Sequence, residues 1–527
     1  MALSVLDRVN LAFAGLVDGL CDPRRWRRFT LLVVCIYAAA WTLYGVIAKS
    51  SQDINADMAE MVVWAREPAL GYPKHPPLLA YVLKLWFSIF PLADWAFTLL
   101  AVITVSAGIY LATELCSLWL EGEKRAATPF LLAVIPFYNF FGLKFDQNSA
   151  LIPLWALTIW AFMRSLETRR AGWSVLMGLA AAAAMLTKYW SAFLLATLAI
   201  TVLLDRRRND YLRSRAPWIA AIVFVLAMLP HVVWLVNEHF PPMQYVAARR
   251  GTHSVADFLD SFTEYSGGTL GYAAGALALA GLLFRPLWKD LPKIWFGGEP
   301  SLRPAKLLFW TPLVLPIAVS SMTRTNLLSL WNEPALNLLP VMMLASPLVL
   351  VSRDAVRRLA AIVTALTLLI VVASPFVALA IFKVGAENDV ISPLLGLTIR
   401  AKNDAAYTRL AAAAIEREWR ATSNAPLRLV AGPFTLVSSA AFYLADKPST
   451  FADFSDYLSP WATTPRIAHD GIAIVCPADD NLCLDNMTKL TLSGPPGRLT
   501  EVTLTRYWLG LASTPKRFVI ATVPPRP

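Results

Sequence analysis

The chain has 527 residues, of which 57% are hydrophobic and 16% are charged, and its mean hydropathy is +0.52. Soluble globular proteins carry about 25% charged and about 45–50% apolar residues. This composition therefore excludes a soluble enzyme and predicts an integral membrane protein. The formal net charge of +11 is typical of a membrane protein with basic cytoplasmic loops, and we expect no nucleic-acid partner.

The N-terminal segment, residues 1–29, is expected to lie on the cytoplasmic surface of the membrane. Its first 22 residues place apolar side chains at helical spacing, and an arginine-rich stretch follows, with Arg24, Arg25, Arg27 and Arg28. An apolar stripe next to a basic cluster is typical of an amphipathic helix that lies in the membrane interface.

Residues 30–400 are expected to form a transmembrane domain. A membrane-spanning helix needs about 20 mostly apolar residues, and on this criterion we predict about eleven spans. Their approximate positions are 30–49, 95–118, 127–141, 147–165, 172–187, 189–204, 217–236, 269–285, 307–323, 334–352 and 358–382. The loops on the side of the N-terminus carry most of the Lys and Arg residues, which predicts a cytoplasmic N-terminus and, after an odd number of spans, a C-terminus outside.

Residues 401–527 predict a small extracytoplasmic α/β domain. A pattern typical of an amphipathic helix covers 405–419, and turns containing Pro and Gly separate the segments after it. Short β-like runs lie at 427–430, 472–475 and 518–521. Cys476 and Cys483 are seven residues apart, a spacing that permits a disulfide in an oxidising compartment.

The first loop between predicted spans, residues 50–94, carries an acidic cluster. On a helix, the spacing of Asp53, Asp57 and Glu60 would place all three carboxylates on one face. Such a cluster suits a general base or a proton site, and a solvated helix face is the alternative. The same oxygens suit a divalent cation, although we expect no metal.

A more specific pattern, Lys74-His75-Pro76-Pro77, follows in the same loop. Two prolines restrict the backbone and hold a cation and an imidazole close to the membrane surface, where they suit a lipid-linked phosphate. Ordinary interfacial anchoring by Lys74 is the alternative. The apolar stretch 77–91 predicts a helix that lies along the membrane surface.

Other candidate residues fall in loops on the same side of the predicted membrane. A lysine between two apolar helices, such as Lys188, is costly unless it is paired or reaches the interface. Loop 237–268 is either a lid over a substrate or an ordinary connection, and Trp331 is either an aromatic platform for a sugar or a residue of the interfacial belt. The candidates are Asp146, Lys188, Tyr189, Arg249, Arg250 and Trp331.

Three motifs of the first loop together resemble a known signature. They are Asp57-Met58-Ala59-Glu60, Trp64-Ala65-Arg66-Glu67 and Leu70-Gly71-Tyr72-Pro73-Lys74-His75-Pro76-Pro77-Leu78. They resemble the first loop of bacterial GT-C glycosyltransferases of the dolichyl-phosphate-mannose-protein mannosyltransferase-like family, whose relatives include lipid A aminoarabinose transferases and galacturonosyl transferases of the lipopolysaccharide core. Residues 178–190 are also similar to a helix of that group, and the resemblance covers about residues 30–350.

The resemblance implies a GT-C fold with a catalytic first periplasmic loop, a polyprenyl-phosphate sugar as donor and no further cofactor. The family's leading aspartate falls on Asp57, and a second family acid falls on Asp146. Where the family has an acid directly after the leading aspartate, this sequence has Met58, so that Glu60 and Asp53 are the alternatives for that function.

The basic residue that contacts the donor phosphate in the family maps onto Lys74 or His75. We favour Lys74 because its ammonium group stays charged at neutral pH. Arg249 and Arg250 are further candidates for the phosphate, while Lys188, Tyr189 and Trp331 are expected to bind the substrate.

The expected reaction is an inverting transfer at the periplasmic face of a bacterial inner membrane. A hydroxyl group of an envelope glycolipid, lipid A or lipopolysaccharide core, attacks the anomeric carbon while Asp57 accepts its proton. Basic residues stabilise the departing polyprenyl phosphate. A protein Ser or Thr acceptor is the alternative within the same fold. A transporter or lipid flippase is the alternative from another class, and it is disfavoured because the polar residues gather at one membrane face and not at the midplane.

Overall fold

The structure is a computed structural model that describes residues 5–248, 254–284, 287–384, 406–492, 494–495 and 497–526. It divides the chain into two compact units. The first consists of Met1–Leu43, Leu70–Leu78 and Thr98–Val371, and the second consists of Tyr44–Ala69, Leu79–Phe97 and Val372–Pro527.

Helices dominate the chain. In chain order, the α-helices are α1 Val5–Cys21, α2 Trp26–Ala48, α3 Ala56–Arg66, α4 Leu78–Ile89, α5 Asp94–Cys116, α6 Gly122–Ala133, α7 Gln147–Thr168, α8 Ala171–Thr187, α9 Ala192–Leu204, α10 Arg208–Arg213, α11 Ala216–Asn237, α12 Pro241–Ala248, α13 Val255–Leu283, α14 Leu287–Phe296, α15 Arg303–Thr323, α16 Leu339–Leu344, α17 Arg353–Val384, α18 Thr408–Thr422, α19 Phe434–Tyr443, α20 Thr464–Asp470 and α21 Asn481–Leu492. Short 3₁₀ helices lie at Pro136–Tyr138, Phe141–Leu143, Tyr189–Ser191, Pro300–Leu302 and Ser329–Leu338.

The spans agree well with the hydrophobic stretches of the sequence. Within the described residues, seven helices are long and apolar enough to cross a membrane, and a bent pair, Gly122–Ala133 with Pro136–Leu143, makes an eighth. The predicted spans at 172–187 and 189–204 are present as the shorter apolar helices Ala171–Thr187 and Tyr189–Leu204. The chain is therefore a multi-pass membrane protein, and the prediction of about eleven spans is compatible with its helices.

One predicted span has a different structure. Residues 334–352 do not form one continuous α-helix, because the 3₁₀ helix Ser329–Leu338 is followed by the six-residue helix α16 and then by irregular chain. Pro334 and Pro340 lie within this stretch, and a proline lacks the N–H group that an α-helix needs in its interior. Hydropathy alone does not reveal such an interruption.

Small residues allow close packing in the first unit. Helix α8 packs against both α7 and α11, and its alanines Ala180, Ala181 and Ala182 are buried. A Cβ atom on Gly178 would lie 2.5 Å from the carbonyl oxygen of Ala220 in α11. The two backbones therefore approach as closely as glycine permits, which is a common mode of helix packing in membranes.

The second unit contains a mixed β-sheet. The strands are β1 Leu429–Gly432, β2 Ser449–Ala452, β3 Ile472–Pro477, β4 Arg498–Leu504, β5 Tyr507–Trp508, β6 Leu511–Ala512 and β7 Lys516–Val523. The five-stranded sheet has the order β2-β1-β3-β7-β4, in which β1 runs parallel to β2 and β3, while β7 runs antiparallel to β3 and β4. The expected α/β domain is thereby confirmed, including α18 and the strands near 427–430, 472–475 and 518–521.

Both faces of this sheet are covered by apolar side chains. Helix α18 contributes Ile415 and the fully buried Trp419 to the core on one face. On the other face, a disulfide joins Cys476 of β3 to Cys483 of α21. The spacing of the two cysteines only permits a disulfide, and the structure shows that they form one.

Candidate active site

The helix that carries Asp57 begins later than the spacing of the acidic residues predicts. Asn55 caps α3, since its side chain accepts a hydrogen bond of 3.0 Å from the backbone N–H of Asp57. Asp57 is exposed in the first turn of the helix, whereas Glu60 is buried one turn later. Because Asp53 precedes the helix, the expectation of three carboxylates on one helical face is wrong for Asp53.

Asp53 instead binds the start of α18. Its Oδ2 atom accepts hydrogen bonds from the Thr408 hydroxyl at 2.9 Å and from the Arg409 backbone N–H at 3.0 Å. Burial raises the pKa of Asp53, and these donors together with the positive charge of Arg409 act in the opposite direction. The carboxylate thus supplies hydrogen-bond acceptors that a helix N-terminus needs.

The two ends of the first loop are held in the same unit. Tyr443, at the end of α19, donates a hydrogen bond of 2.7 Å to Asp94 and accepts one of 2.8 Å from the backbone N–H of Ile54. Arg409 pairs with Asp94 at 2.8 Å and lies over the ring of Tyr443, 4.6 Å from its centroid. A small network around Tyr443 thereby fixes residues on both sides of Asp57.

The loop with the Lys-His-Pro-Pro sequence is held within the first unit by His231. The His231 Nδ1 atom donates a hydrogen bond of 2.6 Å to the Leu70 carbonyl oxygen, and Nε2 accepts one of 2.8 Å from the Tyr189 hydroxyl. The Tyr72 N–H donates to the His75 carbonyl oxygen at 3.0 Å and closes the turn around Lys74. Lys74 and His75 both remain partly exposed in this turn.

The structure brings Lys188 and Trp331 together. The Lys188 ammonium donates a hydrogen bond of 2.6 Å to the side-chain oxygen of Asn148 and lies 4.8 Å from the centre of the Trp331 ring. Trp190 contacts the same ring edge to face, with 4.9 Å between the centroids. A cation above an indole with hydrogen-bonding groups beside it is well suited to a polar, ring-shaped ligand.

Two carboxyl groups act electrostatically on Lys188. Desolvation lowers the pKa of Lys188 to about 8, although Asp146 and Glu333 partly oppose this shift. Burial raises the pKa of Glu333 well above its usual range, and the negative charge of Asp146 adds to the effect. We call Asp146, Asn148, Lys188, Trp331 and Glu333 the Lys188 cluster.

Asp146 also has a structural function. Its Oδ1 atom accepts hydrogen bonds from the backbone N–H groups of Asn148 and Ser149, at 2.9 and 3.0 Å, and thereby caps α7. It also pairs with Lys144 at 3.7 Å. The cap fixes the start of α7 and with it the position of Asn148, the partner of Lys188.

Glu333 follows Trp331 closely in the chain, as one of the polar groups beside that possible platform, but it was not among the predicted site residues. It lies in the 3₁₀ helix Ser329–Leu338, and only 5% of its surface is exposed. Among the residues that the structure describes, its carboxyl group has no hydrogen-bonding side chain and no ion pair within 4.0 Å. The sequence does indicate this residue in one way, since it is an acidic residue at the edge of an apolar stretch. In a membrane protein, an ionisable residue in such a position is a candidate for a functional role.

The neighbouring asparagines show why Glu333 is different. Asn332 accepts a hydrogen bond of 2.7 Å from the Tyr265 hydroxyl, and it donates one of 2.7 Å to Thr269. Asn337 accepts a hydrogen bond from Tyr138 and donates to a backbone carbonyl. Both amides hold the segment in place through these bonds, whereas no such bond is made by the Glu333 carboxyl within the part of the chain that the structure describes.

The remaining expectations concern loop 237–268 and metal binding. Arg249 and Arg250 lie outside the described residues, while α12 and the first part of α13 occupy most of the predicted loop. Within the described part of the chain, no group of three or more His, Cys, Asp or Glu side chains is arranged to hold a metal ion.

Comparisons with known proteins agree with this architecture. Residues 74–234 match the family model of dolichyl-phosphate-mannose-protein mannosyltransferase. A crystal structure of ArnT from Cupriavidus metallidurans bound to undecaprenyl phosphate is similar with a TM-score of 0.56 and 16% identity, over 93% of this chain and 98% of that chain. No curated protein sequence matches the chain significantly.

Two structures of an oligosaccharyltransferase from Archaeoglobus fulgidus show a weaker likeness. The complex with Zn and sulfate has a TM-score of 0.36 and 12% identity, over 83% of this chain and 68% of that one. The complex of AglB with an inhibitory peptide and a dolichol-phosphate has a TM-score of 0.31 and 11% identity, over 84% and 69%. Neither supports an inference by itself. The chain thus contains a segment similar to the dolichyl-phosphate-mannose-protein mannosyltransferase family, and over nearly its whole length it has the fold of ArnT.

Proposed function

We propose that the protein transfers a sugar from a polyprenyl phosphate to a hydroxyl group of a cell-envelope glycolipid, lipid A or lipopolysaccharide core. The observation that carries this proposal is the similarity of its fold to ArnT bound to undecaprenyl phosphate, over 93% of this chain. The site faces the periplasm in this proposal, and the membrane is a bacterial inner membrane. The lipid-linked sugar is already activated, and the reaction uses no cofactor.

Asp57 is the general base in the proposed mechanism. Its carboxylate is exposed at the first turn of α3, where an acidic side chain interacts favourably with the helix N-terminus. The acceptor hydroxyl attacks the anomeric carbon, its proton passes to Asp57, and the bond from this carbon to the phosphate oxygen breaks. This single displacement inverts the configuration at the anomeric carbon. Glu60, one turn further along α3, is the second acid of the loop.

The leaving group is an anion, and its charge needs stabilisation. Lys74 and His75 lie in a closed, partly exposed turn and are assigned to the phosphate. Positive groups that are already in position stabilise a developing charge without reorganisation. Arg249 and Arg250 are assigned to the same phosphate from their sequence position alone.

The Lys188 cluster is assigned to substrate recognition. A sugar ring stacks on an indole such as Trp331, while its hydroxyl groups reach the ammonium of Lys188 and the carboxyl of Glu333. Asp146 holds Asn148 in place beside Lys188. Tyr189 acts on the phosphate loop by holding His231, which in turn holds Leu70.

The decisive experiment is a transfer assay with the purified full-length protein. A set of polyprenyl-phosphate sugars is supplied with an envelope glycolipid extract, and Asp57→Asn is compared with Asp354→Asn, an exposed acid of α17. We expect transfer by the wild type and by Asp354→Asn, and loss of transfer with retained donor binding in Asp57→Asn. Sugar on added protein instead of glycolipid would support the protein O-glycosyltransferase alternative. Absence of transfer from every donor by a folded protein would favour a transporter or flippase.

A further inference from the structure

A cavity lies where the end of α9 meets the beginning of α15, within the first unit. Its volume is about 330 Å³, and it is at the opposite end of α9 from Lys188. Its lining includes Leu204, Asp205, Arg206, Arg207, Arg303 and Leu307. Because both helices are apolar, the cavity lies near one surface of the membrane. It therefore belongs neither to the first loop nor to the Lys188 cluster.

The cavity has an excess of positive charge. Asp205 is its one acidic lining residue, and both of its oxygens accept hydrogen bonds of 2.9 Å from the guanidinium of Arg207. Arg206 and Arg303 have no carboxylate within 4.0 Å among the residues that the structure describes. The first turn of the 21-residue helix α15 adds the partial positive charge of its N-terminus.

The other part of the lining is apolar. Leu204 and Leu307 form part of the wall, and 42% of the surface of Leu204 is exposed. The preceding Leu203 is 56% exposed at the end of an apolar helix, where acyl chains surround it in a membrane. A ligand that fits this site has an anionic head and an apolar tail, which favours a lipid over free phosphate.

We propose that this cavity binds the phosphate headgroup of an anionic membrane lipid through Arg206 and Arg303. A guanidinium group pairs with phosphate oxygens in a planar, two-pronged arrangement. Basic pockets between membrane helices are also suited to anionic headgroups in general. The site is separate from sugar transfer and is expected to anchor the protein to anionic lipid.

The test measures lipid bound to the purified full-length protein. The protein is exchanged into detergent that contains either phosphatidylglycerol or phosphatidylcholine, and retained lipid is counted by native mass spectrometry. We expect the wild type to retain phosphatidylglycerol in preference to phosphatidylcholine. Each arginine near an anionic surface contributes roughly a factor of five, so Arg206→Ala with Arg303→Ala should lower retention by about tenfold or more.

The control removes the same charge outside the cavity. Arg213 and Arg215 are exposed in the next segment and do not line the cavity, and their replacement by alanine should leave retention within about twofold of the wild type. Equal loss in both double variants would overturn the proposal, as would absence of retained phosphatidylglycerol. Displacement of the lipid by excess inorganic phosphate would overturn it in favour of a free-phosphate site. If the double variant does not fold, the single variant Arg206→Gln takes its place, and its lipid retention is compared with that of the wild type and of the control variant.

Discussion

The guanidinium of Arg66, in the last turn of α3, donates a hydrogen bond of 2.6 Å to the carbonyl oxygen of Pro448. The same nitrogen also donates to the carbonyl oxygen of Ala441 at 3.0 Å. The next residue of the loop, Glu67, accepts a hydrogen bond from Ser449 and pairs with Arg466 at 2.7 Å. The C-terminal α/β domain therefore holds the helix that carries Asp57.

We expect Arg66→Ala to destabilise the second unit and to reduce transfer. Burial lowers the pKa of Arg66 to about 10, so the group is still charged at neutral pH and its loss leaves two buried carbonyl groups without a donor. The cost is about 2–4 kcal/mol, measurable by chemical or thermal unfolding.

Arg517→Ala is the matched control for this change. The Arg517–Glu501 pair lies on the exposed edge of the sheet, with side chains that are 70% and 54% exposed. Its removal is expected to cost at most about 1 kcal/mol. Similar losses of stability in the two variants would show that Arg66 does not hold the loop.

The local features of this fold were predictable from sequence, because each depends on nearby residues. The helix α18, the strands β1, β3 and β7, and the long apolar helices all follow from periodicity and hydropathy. The bond between Arg66 and Pro448 joins residues that are 382 positions apart, and no local pattern encodes such a contact. Asp53 illustrates the same point. Its spacing from Asp57 predicted a position on the same helix, whereas in the structure its hydrogen-bond partners are Thr408 and Arg409.

The sequence proposed candidate residues but not the contacts between them. Lys188 and Trp331 were expected to bind substrate from their residue types, and the structure places them against each other. Glu333 was noted only as one of the polar residues beside Trp331, because its position in the sequence does not show that it is buried. Only a three-dimensional structure shows that its neighbours Asn332 and Asn337 are hydrogen-bonded. The contrast with these neighbours is what makes Glu333 a candidate for ligand binding.

Donor binding should weaken as the pH rises through about 8 if the charge of Lys188 binds substrate. Desolvation lowers the pKa of this ammonium to about 8, so the charged form predominates below that pH and is lost above it. Lys188→Arg should remove this dependence, because a guanidinium stays charged over the whole range. Donor affinity at a series of pH values for both proteins tests this directly, and an identical decline in both would assign the titration to another group.

The lowered pKa of Lys188 has the opposite effect on stability: donor binding should weaken as the pH rises, whereas the folded protein should become more stable. The unfolded chain binds the Lys188 proton more tightly than the folded protein does, so the free energy of unfolding should rise with pH between about 8 and 10.5. Lys188→Met should show a smaller rise over this interval. Unfolding curves at several pH values measure the difference, and parallel profiles would contradict it.

Glu333→Gln should retain most of the activity, whereas Glu333→Ala should not. Burial raises the pKa of Glu333 and so favours the protonated carboxyl, and glutamine preserves both the shape of that form and its ability to donate a hydrogen bond. Loss of one hydrogen bond to the substrate costs about 1.4 kcal/mol, or tenfold in kcat/KM. A glutamine variant as inactive as the alanine variant would show that the function of Glu333 requires a negative charge.

Gly71→Ala should weaken donor binding by displacing the turn that carries Lys74. An added Cβ would lie 2.3 Å from the Trp234 ring, far inside the contact distance. This ring does not move freely, because it stacks on His231, with 5.7 Å between the ring centroids, and His231 is bonded to both Leu70 and Tyr189.

The double variant Gly71→Ala with Trp234→Leu distinguishes this clash from a general loss of stability. A smaller side chain at position 234 makes room for the methyl group, so donor affinity should recover at least in part relative to Gly71→Ala. Such a recovery is a coupling between two residues in contact, and a double-mutant cycle measures it. If the two substitutions instead weaken donor binding additively, the clash with the ring does not set the position of the Lys74 turn.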